Sequence, residues 1–535
     1  MLTDHLAAWA TTNADDAAVT YVDHSTSLDG LSVTATWGSL HRRVASTAAA
    51  LRRVAGPGSR AVVLAPQGVD DVVALLAALW AGVVAVPLDL ADLDDHPSHV
   101  SAVLADCLAT AVLTTSAAKP RVQAFLDAPV VLVDGLPEDE LARHEVAATD
   151  LALLRYPVDP GTDPFGTALS HGDLDAAGRR AVSAFRAVTG RTVTVNWLPL
   201  CHDLGFVLAV AVPLVGRLRA VLLEQSSVLE QPRRWLQALA SGQDVITAAP
   251  DFALAYCASR TTEQDRSWLR LSQVSTMLDG GEPISASTVR VAVDVFGQCG
   301  LPPQSLRTCY SAAGTVGPVT MTSTGAPPRR ITVDREQLAA GKAVLRTDGR
   351  STLLVSSGVP VDGAVLVVDP SASWPLPDGM VGEIWLSGPA VAVRQELVTL
   401  DGRDWLRTGD LGFLHEGELF VLGRQEDLLT VDGRRLDPHE VELVARAAHA
   451  AVRPDRVVAL SFGEAVVIVA ERSQHVPVSD IDQPAVVDSV RAAVAKRFNV
   501  RVRDVVLVES GRIPAGWSGH PSRAAVRRRY LDGTL

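Results

Sequence analysis

The feature that most constrains the fold is a regular alternation of short apolar runs with helical segments, which begins near Gly58. RAVVLA and VVAVPL have the length of buried strands, and between them VDDVVALLAALWAG repeats apolar residues at helical spacing. SHVSAVLADCLA and AVLTT repeat the alternation. Continuous apolar strands separated by helices are typical of a parallel sheet covered on both faces. The sequence therefore predicts an α/β fold with a doubly wound core.

This alternation continues through the middle of the chain and then changes near Ala364. VTVNWLPL, AVLLE, DVITAAP and LRTCYS are further short strand candidates. From Ala364, AVLVVDP, PLPDG, GEIWLSG and GELFVLG place strands close together with Gly and Pro turns, which predicts an antiparallel β unit appended to the sheets. The remaining chain is long enough for a small α/β domain. We predict a large N-terminal domain over residues 1–423 and a mobile C-terminal domain over residues 424–535, hinged near residues 423–427.

Composition narrows the class of protein. The chain has 535 residues, of which 47% are hydrophobic and 20% charged, so it has ample material for two or more packed units. A net charge of −13 with scattered basic residues argues against a nucleic-acid partner. The N-terminus does not resemble a leader, and we find no apolar run of the roughly 18 residues that a membrane span needs. We therefore expect no membrane span and a cytoplasmic location.

The five cysteines give no sign of disulfides or zinc. They are odd in number and contain no C-x-x-C pair. This usage favours reduced, mostly buried thiols. We expect Cys107, Cys201, Cys257, Cys299 and Cys309 to be structural.

Several motifs resemble one enzyme family. NWLPLCHDLGF, LDGGEPIS, WLRTGDLGFLHEGELFVLGRQEDLLTVDGRRLDPHEVE and the terminal RRRYLDGTL resemble the adenylate-forming ligase superfamily, and WLPLCHDLG, APDFALAYC and ITVDREQLAAGKAV resemble its fatty acyl-AMP ligase branch. The resemblance implies a large domain that holds ATP and a carboxylate, with a small domain that rotates over the site. It also implies an acyl-adenylate intermediate and, as partners, an acyl or carboxylate small molecule and an acyl carrier protein.

The resemblance assigns roles to six residues. For nucleotide binding these are Asp410 at the ribose hydroxyls, Tyr310 near the adenine, and Arg424 in the GR motif. The catalytic candidates are His202 and Asp203, which match an HD pair beside the acyl pocket, and His520, which stands where the family has a catalytic Lys. An Asp in a tight turn also caps the turn without any ligand, so the role of Asp410 remains open.

The loop YPVDPGTDPFGTALSH, residues 156–171, departs from the family pattern Y-T-S-G-S-T-G-x-P-K-G. Tyr156, Pro164 and Gly166 match, whereas Phe165 replaces the Lys and Asp159 adds a negative charge. The hydroxyl-glycine run that wraps phosphates in the family is replaced by PVDPGT, whose two prolines remove backbone donors. We expect this loop to repel ATP. Alternatively, this segment is an ordinary surface turn in which Tyr156 and the pair Ser170 and His171 are kept for packing.

Two further departures affect the metal and the catalytic charge. Gly314 in CYSAAGTVG stands where the family has a Glu that helps to hold Mg²⁺, and glycine offers no side-chain oxygen. His520 replaces a fixed positive charge with a group that is mostly neutral at pH 7. The chain's three lysines, Lys119, Lys342 and Lys496, fall in no motif. We therefore predict no metal site and no cofactor, with ATP and Mg²⁺ retained only if the protein is an active ligase.

Three functions are consistent with these features. The first is an active acyl-AMP ligase with a rebuilt site that loads a carboxylic acid onto an acyl carrier protein. The second is an ATP-independent enzyme that uses the inherited acyl and carrier-protein surfaces, with His202 or His520 in acid-base work. The third is a non-catalytic binding or scaffold protein. We favour a diverged fatty acyl-AMP ligase homologue that has lost ordinary adenylation and that binds or acts on an acyl or carrier-linked substrate in lipid or secondary-metabolite biosynthesis.

Overall fold

The computed structural model describes residues 1–27, 29–135, 141–156, 164–392, 396–431, 434–474, 476–477, 481–514 and 521–535. The first stretch of the chain forms the elements α1 (Leu2–Thr12), β1 (Ala17–Asp23), β2 (Leu31–Thr36), α2 (Trp37–Arg52), β3 (Arg60–Val63), α3 (Val69–Ala81), β4 (Val84–Pro87), α4 (Asp92–Asp95), α5 (Pro97–Cys107), β5 (Ala111–Thr114), α6 (Lys119–Gln123), β6 (Val130–Leu132), β7 (Leu151–Arg155) and β8 (Thr167–Ser170).

The middle of the chain continues the alternation. It contains α7 (His171–Phe185), β9 (Thr192–Asn196), α8 (Asp203–Phe206), a π-helix (Val207–Ala211), α9 (Val212–Gly216), β10 (Arg219–Leu223), α10 (Gln225–Glu230), α11 (Arg233–Ala238), β11 (Asp244–Ala249), α12 (Asp251–Arg260), α13 (Glu263–Trp268), β12 (Val274–Asp279), α14 (Ala286–Gln298), β13 (Leu306–Tyr310) and β14 (Thr320–Met321). Short 3₁₀ turns lie at Leu239–Ser241 and Pro303–Ser305.

Two large sheets are built from these elements, and both are mainly parallel. The first has the strand order β6-β5-β3-β4-β7-β8, with only β8 antiparallel to its neighbour. In the second, β13-β12-β11-β9-β10-β1 are parallel, and β2 and β14 are antiparallel at the two sides. The predicted doubly wound α/β core is therefore confirmed.

Helix α3 shows how the apolar sequence dictates this layering. Every residue of α3 except Asp70 is buried, as expected for a helix that is apolar all round. It packs on α2 and on strands of both sheets. Because it offers no polar face to water, α3 is stable only between layers, and it joins the two sheets into one core.

An antiparallel unit follows, as the change near Ala364 predicts. Its elements are β15 (Arg330–Asp334), α15 (Arg335–Ala339), β16 (Ser351–Val355), β17 (Val359–Pro360), β18 (Ala364–Val368), β19 (Gly382–Ser387), β20 (Val398–Leu400), β21 (Arg403–His415) and β22 (Glu418–Arg424). Strands β18, β19, β21, β20 and β22 form one antiparallel sheet, while β15 pairs with β16 and β17 joins the large sheet through β14.

The C-terminal part has its own core around a three-stranded sheet β25-β26-β27. Its elements are β23 (Leu429–Val431), β24 (Arg434–Leu436), α16 (Pro438–Ala447), β25 (Val452–Phe462), β26 (Ala465–Arg472), α17 (Gln483–Phe498), β27 (Arg501–Val508) and α18 (Arg523–Asp532). Strand β22 ends at Arg424, at the predicted hinge, and the domain division at residues 423 and 424 stays a prediction.

Polar contacts tie the C-terminal part to the β15–β16 hairpin. The Arg335 guanidinium donates to Glu440 at 3.0 Å, and the Thr352 hydroxyl donates to the same carboxylate at 2.7 Å. Within the C-terminal part, Arg523 donates to both oxygens of Glu442 at 2.8 Å. These contacts fix the side from which α16 meets the large domain.

The structure also bears on the expectations for the cysteines and for a membrane span. The five cysteines are free, and four of them are buried. Within the described residues, we find no helix with both the length and the apolarity to cross a bilayer.

Candidate functional site

Three segments meet at the C-terminal end of β7. The Arg155 side chain donates to Asp203 at 2.5 Å and to the carbonyl oxygen of Thr315 at 2.6 Å. Both oxygens of Asp203 accept from the backbone N–H of Gly317, at 3.0 and 3.1 Å. The side chains of Arg155 and Asp203 are only 10% and 12% exposed. This cluster joins the start of the loop that resembles a phosphate loop, the HD pair, and the turn that contains Gly314.

His202, the first residue of the HD pair, lies against the backbone of Gly281. A side chain at Gly281 would place its Cβ 3.2 Å from Cε1 of His202, so the glycine allows the imidazole to lie against this backbone. Burial, and secondarily the Arg155 charge, lowers the pKa of His202 to about 4, against the opposing effect of Asp203. His202 is therefore neutral near pH 7. The catalytic roles of His202 and Asp203 stay predictions, while the contacts of Asp203 are those of a residue that positions neighbouring segments.

Tyr310 and Asp410 are brought together by the fold. Tyr310 ends β13 and is buried, and its hydroxyl donates to Asp410 at 2.6 Å. Asp410 lies on β21 opposite Arg424 on β22. Burial raises the pKa of Asp410, whereas the Tyr310 hydroxyl and the Arg424 charge lower it. The three residues that resemble nucleotide ligands thus form one cluster, and their role toward a nucleotide stays a prediction.

The loop that resembles a phosphate loop is described only at its two ends. Tyr156 is buried, and its hydroxyl donates to Asp106 at 2.5 Å. A Cβ at Gly166 would lie 2.7 Å from the Tyr156 ring, so this glycine is required by packing. Phe165, which replaces the family Lys, is 67% exposed. Residues 157–163, including Asp159 and both prolines, lie outside the described residues.

Gly314 occupies a constrained turn. The N–H of Thr315 donates to Ala312 at 3.1 Å, and Gly314 has φ +85° at the third position of this turn. Its carbonyl oxygen accepts from the N–H of Ala392 at 3.0 Å. A positive φ at the third turn position favours glycine. A carboxylate at residue 314 would therefore require strained backbone.

A second arginine holds the chain just after this turn. The Arg180 guanidinium donates to the carbonyl oxygens of Val316 and Pro389. Arg155 and Arg180 together fix residues 315–317 against two different parts of the core. Sequence reasoning missed both arginines, although an Arg at the end of the apolar strand LALLR was a usable signal for Arg155.

The segment that resembles the catalytic lysine motif is described only at its ends. His520 lies within residues 515–520, outside the described residues, so its predicted role remains untested. Pro514 and Arg523, which match the family, are described: the carbonyl oxygen of Pro514 accepts from the N–H of Ser522 at 2.9 Å, and Arg523 binds Glu442. Arg523 therefore stabilises the core of the C-terminal part.

The apolar stretch at residues 206–216 lies in the core. It runs from the end of α8 through the π-helix into α9, and all of its residues except Val215 are buried. A cavity of about 10 Å³ adjoins Ala209, Val210, Pro213 and Leu214. That volume holds a water molecule at most, so an acyl chain would enter here only if side chains moved.

Comparison with known proteins identifies the relatives of this fold. The family described as AMP-binding enzyme matches residues 6–393. The long-chain-fatty-acid–AMP ligase FadD32 of Mycolicibacterium smegmatis is 33% identical, over 99% of this chain and 94% of that protein. The long-chain-fatty-acid–AMP ligase FadD26 of Mycobacterium tuberculosis is 35% identical, over 96% of this chain and 94% of that protein.

A solved structure from a study of fatty acyl-adenylate ligases of E. coli and L. pneumophila shares the fold. It superposes with a TM-score of 0.87 at 24% identity and covers 99% of this chain and 97% of its own. The match includes both the large N-terminal and the small C-terminal parts.

The contacts of Asp203 lead to a prediction about stability. In the Asp203→Ala variant, Arg155 would keep a buried charge without its partner, so we expect unfolding to become easier by about 3–5 kcal/mol. Urea denaturation followed by circular dichroism measures this change. The matched control is Asp94→Ala, which removes an ion pair with Arg121 whose side chains are 70% and 45% exposed and should cost less than about 1 kcal/mol. Equal effects for the two variants would contradict a positioning role for Asp203.

Proposed function

The chain belongs to the AMP-binding enzyme family, in its fatty acyl-AMP ligase branch, and from this membership we propose that it is a diverged homologue that has lost ordinary ATP-dependent adenylation. It binds or acts on an acyl or carrier-protein-linked substrate in lipid or secondary-metabolite biosynthesis. Its location is the cytoplasm, and an acyl carrier protein is its partner. A shared fold does not establish which reaction a protein catalyses, so the proposal depends on the residues of the candidate site.

The observation that carries the proposal is the turn at Gly314. The family uses a Glu at this position to help hold Mg²⁺, and here the residue has neither a side chain nor a backbone conformation that suits one. Arg155 and Arg180 hold the residues that follow, which limits how far the turn can relax. The residues present on the phosphate side do not fit a magnesium–triphosphate group.

Among the described residues, no lysine takes the place of the family Lys near the site, which supports the same proposal. Phe165 is an exposed aromatic residue where the family has a Lys. Lys119 begins α6, Lys342 lies between α15 and β16, and Lys496 is in the last turn of α17. None of the three lysines belongs to a segment that meets at Arg155. Loss of even one donor to a transition state lowers a rate by roughly 10²–10³.

The cluster of Tyr310, Asp410 and Arg424 favours the alternative function, an active acyl-AMP ligase. These residues match the family's nucleotide ligands and lie together in the fold. The relatives FadD32 and FadD26 are named as fatty-acid–AMP ligases. ATP–pyrophosphate exchange separates this alternative from the proposal.

The first prediction concerns nucleotide binding. We expect Mg-ATP to bind with a Kd no tighter than about 1 mM, because donors, charge and metal ligand are missing from the phosphate side. Isothermal titration calorimetry measures the affinity, and ATP–pyrophosphate exchange with a series of fatty acids measures the reaction. M. smegmatis FadD32 serves as the positive control in both assays. A micromolar Kd, or exchange at the rate of the control, would establish the active-ligase alternative.

The second prediction concerns the acyl group. We expect acyl-pantetheines to bind saturably without ATP, with affinity that rises with chain length because each buried methylene contributes about 0.8 kcal/mol. The structure requires side chains around residues 206–216 to move apart for this binding. Calorimetry with a series of C4 to C16 acyl-pantetheines measures it, and pantetheine without an acyl group is the control. If no chain length gives a saturable signal, the acyl-binding part of the proposal is wrong.

The third prediction asks whether single residues account for the lost chemistry. The combined variant Phe165→Lys, Gly314→Glu and His520→Lys restores the family charges, yet we expect no hydroxamate formation with fatty acids. The reason is that Glu at residue 314 would take a left-handed conformation that costs about 1–3 kcal/mol, while two prolines still stiffen the loop.

The informative comparison replaces the loop itself. In a second variant, residues 156–166 take the family pattern Y-T-S-G-S-T-G-x-P-K-G together with the changes at residues 314 and 520, and circular dichroism confirms that both variants fold. Activity in the second variant alone would locate the defect in the loop backbone. Activity in the three-residue variant would show that the backbone argument is wrong.

A further inference from the structure

A fully buried carboxylate lies close to the candidate site with no hydrogen-bond partner among the described residues. Asp279 ends β12, between Ala249 of β11 and Thr308 of β13, and is 0% exposed. Neither of its oxygens has a donor within hydrogen-bond distance. A buried polar group without a partner is costly, and native structures contain few of them. Asp279 therefore needs a physical explanation.

The neighbouring acidic groups make the position still less favourable for an anion. Asp251 accepts from the Ser285 N–H and the Thr288 hydroxyl, both at 2.8 Å. Glu282 accepts from the Phe252 N–H at 3.3 Å. Asp251, the first residue of α12, therefore contacts the start of α14, and Glu282, in the loop before α14, contacts the first turn of α12. Burial and then the charges of these two residues raise the pKa of Asp279 well above its ordinary value.

The position of Asp279 connects it to the HD pair. The next two residues are glycines, and a Cβ at Gly280 would lie 2.4 Å from the Cys309 sulfur, while one at Gly281 would lie 3.2 Å from the His202 ring. Asp279 therefore lies at the carboxyl end of a parallel strand, one short step of backbone from His202. In open α/β sheets, ligands bind outside the carboxyl ends of the strands.

The chemistry of the surroundings selects the kind of ligand. Among the described residues, no three His, Cys, Asp or Glu side chains are placed to hold a metal ion together. A group that suits one buried carboxylate is an organic cation with several N–H donors, which a primary ammonium provides. We propose that Asp279 is the anchor for a primary ammonium group on the substrate, so that the acyl substrate is an amino-bearing one.

This inference rests on the proposed function, because it treats the region beside His202 as the acyl site. It explains why an acidic side chain is buried with two other carboxylates nearby and, among the described residues, no basic partner. A bound ammonium would offset the charge of Asp279 and donate to both of its oxygens. It also gives the site a means to select between an amino acyl chain and an ordinary fatty acyl chain of the same length.

The test uses the full chain with n-butylamine hydrochloride as a small ammonium probe and butan-1-ol as its uncharged analogue. Calorimetry at pH 7.5, with ionic strength matched by sodium chloride, measures both affinities. We expect the ammonium probe to bind the native protein at least tenfold more tightly than the alcohol. We expect Asp279→Asn to lose that tenfold preference, because the amide keeps the shape and removes the charge.

A second buried carboxylate supplies the matched control. Asp71 on α3 is also buried and has acidic neighbours, Asp70 and Asp89, but it is not among the charges that act on Asp279. Asp71→Asn should leave the affinity for butylammonium within about twofold, since only a direct contact gives a large effect. Equal losses in Asp279→Asn and Asp71→Asn would overturn the proposal in favour of general electrostatic attraction.

Proton release gives a measurement that needs no variant. If Asp279 is largely protonated in the free protein, butylammonium binding displaces its proton, so the measured enthalpy should depend on the buffer's ionisation enthalpy and the affinity should rise with pH. Butanol should show neither effect. The other titratable groups facing this region are Asp251, Glu282, Cys309 and His202, and the comparison with Asp279→Asn isolates Asp279 from them.

Two results would overturn the inference: butylammonium that binds the native protein no better than butanol, and equal binding of butylammonium by Asp279→Asn and the native protein. If the Asp279→Asn variant does not fold, the affinities of the native protein for butylammonium and butan-1-ol still show whether it has an ammonium site. Neither probe involves ATP or a thioester, so this test can fail while the proposed function stands. The reverse also holds, because Mg-ATP binding would contradict the proposed function without affecting an ammonium site.

Discussion

The ion pair between Arg155 and Asp203 is the interaction on which the arrangement of the candidate site depends. One guanidinium reaches Asp203 and the Thr315 carbonyl, and the same carboxylate holds the Gly317 N–H. Because both charges are mostly removed from water, neither can lose the other without a large cost. The pair therefore fixes the backbone on three sides of the region where a substrate would react.

Much of the fold was predictable because it follows from apolar periodicity. The strands around RAVVLA and VVAVPL, the buried helix α3 and the antiparallel unit from Ala364 all lie where the pattern places them. Periodicity carries no information about which polar side chains meet in the fold. Arg155 contacts Asp203 across 48 residues of sequence, and Tyr310 contacts Asp410 across 100 residues. Asp203 was predicted only as a catalytic candidate, since its neighbours in space are far away in sequence. The φ of Gly314 was equally invisible, because glycine permits every conformation.

Electrostatics connect two features of this chain: the replacement of charged family residues in the sequence, and the buried acidic residues near His202 in the structure. The family chemistry brings together a triphosphate, a carboxylate and Mg²⁺, and it needs positive charge in the protein. Close to His202 this chain instead places Asp279, with Asp251 and Glu282 as its acidic neighbours, and burial with neighbouring Asp89 raises the pKa of Asp92 to about 7. Burial and mutual repulsion favour the neutral, protonated forms of these carboxyl groups. A bound ammonium would favour their ionised forms, and in those forms they would repel a triphosphate.

Tyr310 and Asp410 have a structural role toward each other that requires no nucleotide. The Tyr310 hydroxyl donates to one oxygen of Asp410, so the carboxylate is already partly satisfied without a ribose. Burial raises the pKa of Asp410, and the hydrogen bond and Arg424 act in the opposite direction. Since the folded pKa lies above the unfolded one, Asp410 contributes most stability at low pH, and that contribution is lost as pH rises through its folded pKa. Tyr310 limits this loss at neutral pH, and this structural benefit requires no bound nucleotide.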